Sequence, residues 1–320
     1  MFISKRKIKG NTYFYLEDRI AGKKISISLG RKEQIVKRIE EAFDKINQEK
    51  ALTNFKVSKK IKIKNLNDNE LLSLEILKVN YNLLKDFFPQ GFKSFKEDEF
   101  VQYAQGSTSI EGNSLSLQEA TFVLNKGLAV TGKRIDEIRE VENMLYAAKL
   151  SVKIKDINEN NIKRIHSAIM NGFDEKKPGE YRQGPMFITG SKFQPPKGEL
   201  VSKEMGKLLE WYNKNKKKSN PVEMASEFHV RFEEIHPFLD GNGRTGREIL
   251  NTMLCNADYP RAIINLENRQ TYINLLERLH SSKEYYKFSK FVYLCLEKQA
   301  EEIKQIIKDN KKMILNKLVK

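Results

Sequence analysis

His236-Pro237-Phe238-Leu239-Asp240-Gly241-Asn242-Gly243-Arg244-Thr245-Gly246-Arg247 is the stretch on which the reading of this 320-residue chain turns. Asp240 to Gly243 is a turn signal, and helical patterning resumes from Arg244 to Leu250. The loop therefore delivers the chain to a helix N-terminus, where unpaired backbone N–H groups and the helix dipole form an anion site. Gly241 and Gly243 allow the backbone to approach a phosphate closely. Arg244 and Arg247 lie three apart on neighbouring faces of the first turn. Cations there oppose the dipole, and a bound phosphate would remove the conflict. Asp240 offers an oxygen to Mg²⁺, which takes one or two carboxylates besides substrate phosphates. His236 closes the preceding helix, and its near-neutral pKa suits it to take a proton from a hydroxyl. A lone histidine or a lone Gly-Asn-Gly would say little. Base, metal ligand, anion loop and two arginines together make a set for phosphoryl transfer.

Outward from this loop the chain reads as mainly helical. Periodic segments fit helices over 96–110, 135–151, 158–171, 199–214, 221–234, 242–257, 269–280 and 284–313. Ser116-Leu117-Gln118-Glu119 is a capping box that opens another, and Asn67 or Asp68 caps one carrying Leu71 to Leu84. The pattern breaks over 177–198, which holds four prolines and four glycines. Within it Met186-Phe187-Ile188-Thr189 fits a short strand of a hairpin, whose open edge could pair with a peptide. Upstream, Ile3–Ile8, Tyr13–Leu16 and Ile25–Leu29 predict a small β-meander ending at Gly30. A helix follows from Arg31 to about Lys50, and 53–64 reads as a linker or edge strand. The domain expectation is a basic meander over 1–30, a helical region over 31–96, the main domain over 97–300, and a solvated basic helix end over 301–320.

Bulk composition narrows the class. Hydrophobic residues make up 39%, with 18 Phe and 12 Tyr, enough for a core. No apolar run is long enough to span a membrane, and the charged start, Met1 to Lys9, is not a signal peptide. The two cysteines, Cys255 and Cys295, lack histidine partners at metal-ligand spacing and read as buried thiols in a reducing compartment, hence a cytoplasmic protein. Net charge is +16, and residues 1–64 supply +11 of it, from 18 Lys+Arg against 7 Asp+Glu. Such a segment attracts polyanions, nucleic acid among them, although a lysine-rich surface that stays solvated is the plainer account.

At 236–247 the chain resembles the Fic (Fido-domain) family, whose signature H-x-F-x-D/E-G-N-G-R-x-x-R is matched at every defined position. Gly179-Glu180-Tyr181-Arg182, Phe187-Ile188-Thr189-Gly190-Ser191 and Pro195-Pro196 are similar to the family's β-hairpin flap. Trp211, Asn251, Tyr259-Pro260 and Tyr272 also fall where members carry similar residues. The resemblance implies a protein adenylyltransferase: AMP moves from ATP to a Ser, Thr or Tyr hydroxyl of a protein, with Mg²⁺. By it His236 is the general base and Asp240 the metal ligand. Asn242, with the backbone of Gly241 to Gly243, cradles the α- and β-phosphates. Arg247 takes the γ-phosphate, with Arg244 beside it. Phe187, Ile188, Thr189 and Gly190 clamp the nucleotide and align the target. Tyr272, Ile273 and His280 lie near the adenine. Some members have two adjacent tyrosines where this chain has Tyr272-Ile273, and an Asn where it has His280.

Ser107-Thr108-Ser109-Ile110-Glu111-Gly112-Asn113 reads locally as a helix C-terminus closed by Gly112. Glu111 sits at the end of the dipole that disfavours an anion and wants a cationic partner. The segment resembles the family's inhibitory motif S/T-x-x-x-E-G/N, placed here on a helix over 98–112. The resemblance implies that Glu111, in a motif beginning at Ser107, pairs with Arg247 and blocks productive ATP binding, and that it serves in removing AMP as well. It further implies regulation through a homodimer in some members. Two other functions fit the sequence: a DNA-binding regulator that senses nucleotide, and a UMP or phosphocholine transferase on the same scaffold. His166 and His229 are expected to pack or orient rather than bind.

Overall fold

The computed structural model describes residues 1–20, 22–127, 130–187 and 193–319. These divide into two compact units. One comprises Met1–Ile61, Asn67–Lys93 and Glu297–Lys320, the other Lys62–Leu66 and Ser94–Leu296.

The first unit is built on a three-stranded antiparallel sheet of β1 (Phe2–Ile8), β2 (Asn11–Ile20) and β3 (Lys23–Gly30), in that order. Strand alternation sorts the side chains. Leu16 and Leu29 are buried, with Phe14, Ile25 and Ile27 half-buried, against Ile39, Phe43 and Ile46 of α1 (Ile35–Ser58). Glu17 is 1% exposed and held by Arg6 at 2.5 Å and Lys24 at 2.6 Å. Burial raises its pKa, yet the hydrogen bonds from Lys24 and Arg6 outweigh that and pull it down to about 2. α2 (Asp68–Phe87) starts at Asn67, whose side chain accepts from the Glu70 N–H while Glu70 returns a bond to the Asn67 N–H.

Two expectations fail in this unit. Residues 53–58 are not a linker but the last turns of α1, because Ala51 and its neighbours continue the apolar stripe. The C-terminal end of α11 (Ser289–Val319) is not merely solvated, since Ile314 and Leu318 join the core formed by the sheet and α1. Buried apolar area there outweighs the lysine count that suggested exposure.

The second unit is helical: the Ser94–Ile110 part of α3 (Pro89–Ile110), then α4 (Leu117–Lys126), α5 (Ile135–Ser151), α6 (Glu159–Ile169), α7 (Gly198–Asn215), α8 (Pro221–Ile235), α9 (Asn242–Asn256) and α10 (Arg269–Ser282). α8 and α9 form its central hairpin. Phe228, Val230, Phe232, Ile249, Leu250 and Leu254 have no exposed surface. Asn220 caps α8 with Pro221 behind it, and Ser116 and Glu119 form the capping box that opens α4. Lys64, Asn65 and Leu66 donate their N–H groups to the buried Glu223 carboxylate.

The fold class is thus mainly α with a small N-terminal antiparallel sheet. Of the strand expected at 186–189, Met186 and Phe187 have no ladder partner, while Ile188, Thr189 and Gly190 lie outside the described residues. Cys255 and Cys295 are not joined in a disulfide; Cys295 is buried as expected, and Cys255 only partly so. Among the described residues no helix is long and apolar enough to cross a membrane.

Candidate active site

The α8–α9 connection carries the site. α8 ends at His236 in the left-handed region, φ +49°, with its N–H bonded to Phe232. That turn swings the imidazole away from the helix path and into a cavity of about 400 Å³. Glu111, Glu233, Gly243, Arg247, Tyr272 and His280 share its lining with Ile110, Arg269, Ile273 and Leu276. Gly241, φ +71°, starts α9 and Gly243 opens its first turn, so the free N–H groups face the cavity side of the loop.

The loop is held in shape by its own side chains. The Asn242 amide accepts from the Phe238 N–H at 2.8 Å and donates to the Phe238 carbonyl at 2.9 Å. It is 2% exposed. Its side chain therefore staples the turn, with one amide N–H and one oxygen lone pair beyond these two bonds. His166 supports the other side. Its Nδ1 accepts from the Gly179 N–H at 2.7 Å, which leaves the proton on Nε2 to donate to the Asp240 carbonyl at 3.0 Å. Its ring stacks on Phe238 at 3.7 Å. Burial keeps this imidazole neutral, with its pKa down at about 4.

The two arginines part ways. Arg244 turns from the cavity to Glu140 at 3.2 Å and Asp240 at 3.4 Å. Both carboxylates thus engage its Nη atoms, while Nε has no hydrogen-bond partner among the described residues. Arg247 is 1% exposed and reaches across to α3. It donates to the Ser107 hydroxyl at 3.0 Å, the Ser107 carbonyl at 2.8 Å, and Glu111 Oε1 at 2.7 Å. The structure thus brings Ser107, Glu111 and Arg247 together from positions 140 and 136 residues apart. Glu111 lies just past the end of α3, where Gly112 has φ +102°. Burial raises the Glu111 pKa, and the Arg247 charge and hydrogen bond overcome this and hold it below the usual carboxylate range. A Cβ built on Gly243 would overlap Glu111 Oε1, so the carboxylate rests directly on the phosphate loop.

His236 is desolvated and faces the Arg182 charge, which together push its pKa down to about 4. At neutral pH it is an uncharged base. Asp240 stays 44% exposed, with Oδ1 on the Gly241 N–H and Lys176 3.8 Å from Oδ2. Tyr272 lines the cavity, but its hydroxyl serves the arginine: it lies 3.4 Å from Arg247 Nη1 and 2.9 Å from His229 Nε2. His229 is fully buried, in keeping with an orienting part. Ile273 and His280 line the cavity too, His280 beneath Phe193 at 4.6 Å. Phe187 is 75% exposed.

Sequence reasoning missed four participants. Arg269 donates to the Ile110 carbonyl at 2.7 Å and lines the cavity. Glu140 joins Arg244 to Asn113, whose amide donates to it at 2.9 Å. Glu233 lines the cavity with its pKa raised by burial to about 8. Arg182 was read only as part of a flap. Nothing in spacing links these residues to the loop, because they arrive from α5, α8, α10 and the 177–198 segment.

Residues 156–254 match the Fic/DOC family model. The chain is 30% identical over 246 residues to Protein adenylyltransferase Fic of Drosophila willistoni, covering 74% of this chain and 48% of that protein. It is 33% identical over 213 residues to the protein of the same name from Drosophila persimilis, covering 63% and 40%. The chain thus spans about half the length, or less, of the curated relatives it matches. Among solved structures, a Fic domain containing signaling protein from Bacteroides thetaiotaomicron superposes with TM-score 0.66 at 23% identity, over 72% of this chain and 95% of that one. A Fic family protein from Desulfovibrio desulfuricans superposes with TM-score 0.65 at 25% identity, over 78% and 77%. The 236–247 loop lies inside residues 156–254, so the segment that carries the site is the one that matches the Fic/DOC family.

Proposed function

We propose that this protein is an auto-inhibited protein adenylyltransferase. The observation that carries the reading is a neutral, partly buried His236 opening on the same cavity as the α9 N-terminus and Arg247. An enzyme of this kind brings a hydroxyl oxygen onto the α-phosphorus of ATP while the bond from that phosphorus to the bridging oxygen breaks. The hydroxyl proton passes to His236, and diphosphate leaves. The α9 N-terminal N–H groups bind phosphate oxygens, and Arg247 meets the γ-phosphate once Glu111 withdraws. Asp240, 44% exposed and with Oδ2 no nearer than 3.8 Å to the Lys176 ammonium, fits Mg²⁺, which would add positive charge on the phosphates when bound. Among the described residues no three His, Cys, Asp or Glu side chains cluster, so such an ion would draw its other ligands from phosphate and water. ATP, a hydroxyl-bearing protein and a cytoplasmic setting complete the reading, and the 97–300 domain would hold the whole site.

Auto-inhibition rests on the Glu111–Arg247 pair at 2.7 Å. A carboxylate there takes the place a γ-phosphate needs. The test is intact-mass analysis of the Glu111→Gly variant incubated with ATP and Mg²⁺ in cell lysate. We expect adducts of one AMP mass on the variant or its targets, at least tenfold above wild type, and none with His236→Ala added. No gain over wild type would remove the brake. A UMP or phosphocholine mass, given those donors, would change the donor class.

A second reading, contact with nucleic acid through residues 1–64, is favoured by one observation. Lys5, Arg6, Lys7, Arg31 and Lys32 line one cleft with Thr12 and Phe14. Duplex DNA should then shift the protein on a gel at low salt and release steeply as salt rises. A shift unaltered by Lys5→Glu with Lys7→Glu would count against it.

A further inference from the structure

Arg182 is a cation 2% exposed that meets no carboxylate among the bonds it makes. An unpaired buried charge is costly, and a fold keeps one only where its hydrogen bonds are all satisfied. Here every contact is a backbone carbonyl. Nε donates to the His236 carbonyl at 2.8 Å. Nη1 donates to Gly184 at 2.8 Å. Nη2 donates to Pro196 at 2.7 Å and to Ile235 at 3.3 Å. Its own N–H donates to the Pro237 carbonyl at 2.9 Å. Two of these carbonyls, Ile235 and His236, belong to the end of α8, where helix carbonyls lack partners. The other two, Gly184 and Pro196, are the points where the chain leaves for and returns from the intervening segment. A Cβ on Gly198 would collide with the Gln183 carbonyl and the Gly184 N–H, so the two ends are pinched together beside the guanidinium.

We infer that Arg182 is a positioning residue: its guanidinium ties the left-handed His236 turn to the Gly184 and Pro196 carbonyls, so that the base is held at one angle to the cavity. This rests on the reading of His236 as general base. The fork geometry matters, because a planar guanidinium with five donors can hold four carbonyls at once and an ammonium with three cannot. The charge acts separately. Arg182 disfavours the imidazolium at His236, as do burial and the more distant His280, while Glu111 and the Glu233 backbone favour it.

Three variants in the Glu111→Gly background separate these parts, assayed as initial rates of AMP transfer across pH with ATP and Mg²⁺. Arg182→Lys keeps the charge and loses the fork; we expect kcat to fall at least tenfold, with KM for ATP within twofold and the acid limb unmoved. Arg182→Gln loses both; we expect a similar fall and an acid limb displaced to higher pH. Gly198→Ala strains the pinch without touching the arginine or the base; kcat should fall with the acid limb unmoved. Equal kcat in Arg182→Lys and the parent, or unchanged kcat in Gly198→Ala at an unchanged melting temperature, would overturn the inference. An inactive Glu111→Gly parent would instead remove the adenylyltransferase reading on which it stands.

Discussion

Arg261 and Arg247, two of the buried arginines in the helical unit, end on glutamates, and their pairs differ in how they are enclosed. Arg261 donates to both oxygens of Glu248 at 3.1 and 3.0 Å, with 1% and 0% of the two side chains exposed. It also donates to the Ala148 carbonyl and the Ser151 hydroxyl, and lies 4.7 Å from the Tyr103 ring. Arg247 is as deeply buried, but its partner Glu111 is 40% exposed and comes from the loose end of a helix. The first pair is enclosed on both sides. The second is enclosed only on the arginine side, and its carboxylate faces the cavity. A sealed pair cannot be exchanged for a ligand, whereas a half-open one can, because a phosphate reaching the cavity meets the same guanidinium. Exposure of the carboxylate, not the ion pair itself, is what makes Arg247 a site.

The comparison can be broken at its strongest point first. Glu248→Gln leaves Arg261 buried without an anion, a change worth about 3–5 kcal/mol. Urea unfolding should show that loss, or the protein should fail to fold. Glu111→Gly removes a half-exposed group and leaves Arg247 its bonds to Ser107 and Tyr272, so its loss in the same titration should be clearly smaller. Equal losses would mean that both pairs are structural.

The smallest effect concerns pH. The Glu111 carboxyl is held below its ordinary pKa, so the stabilisation it gives is fully present above the ordinary carboxylate range. It fades only as pH falls through the depressed value. His236, with its pKa down at about 4, likewise stays neutral on mild acidification. Glu233, lifted by burial to about 8, changes charge nearer neutrality, so the ratio of Glu111→Gly to wild-type transfer rates should stay flat below it, from about pH 6.5 to about pH 5.5. A ratio that shrinks across that window, read from initial rates, would mean that protons release the brake on mild acidification.

Much of this was legible in the chain because it is local. The turn at 240–243, the helix beginning after it, the capping boxes at Asn67 and Ser116 and the alternation of the meander each depend on residues a few positions apart. The pairing of Glu111 with Arg247 was not local, and only likeness to a family suggested it. What stayed hidden depends on where side chains are spent. Asn242 and Arg244 have the right chemistry for phosphate, but nothing in their spacing shows that they also hold Phe238, Glu140 and Asp240. Arg182 looked like decoration of a loop because backbone carbonyls, its partners, carry no sequence signal. The last turns of α1 were misread for a related reason: a short alternating run satisfies period two and period 3.6 alike.

The Asn242 staple has a bearing on how such proteins diversify. Because the turn is locked by its own amide, its shape is inherited from folding and owes nothing to the cargo it receives. Another part of the cavity lining, Arg269, Ile273, Leu276 and His280, is written on a different helix. On the proposed function, substitutions on α10 would change which donor fits while the shape of the 238–242 turn stays as it is.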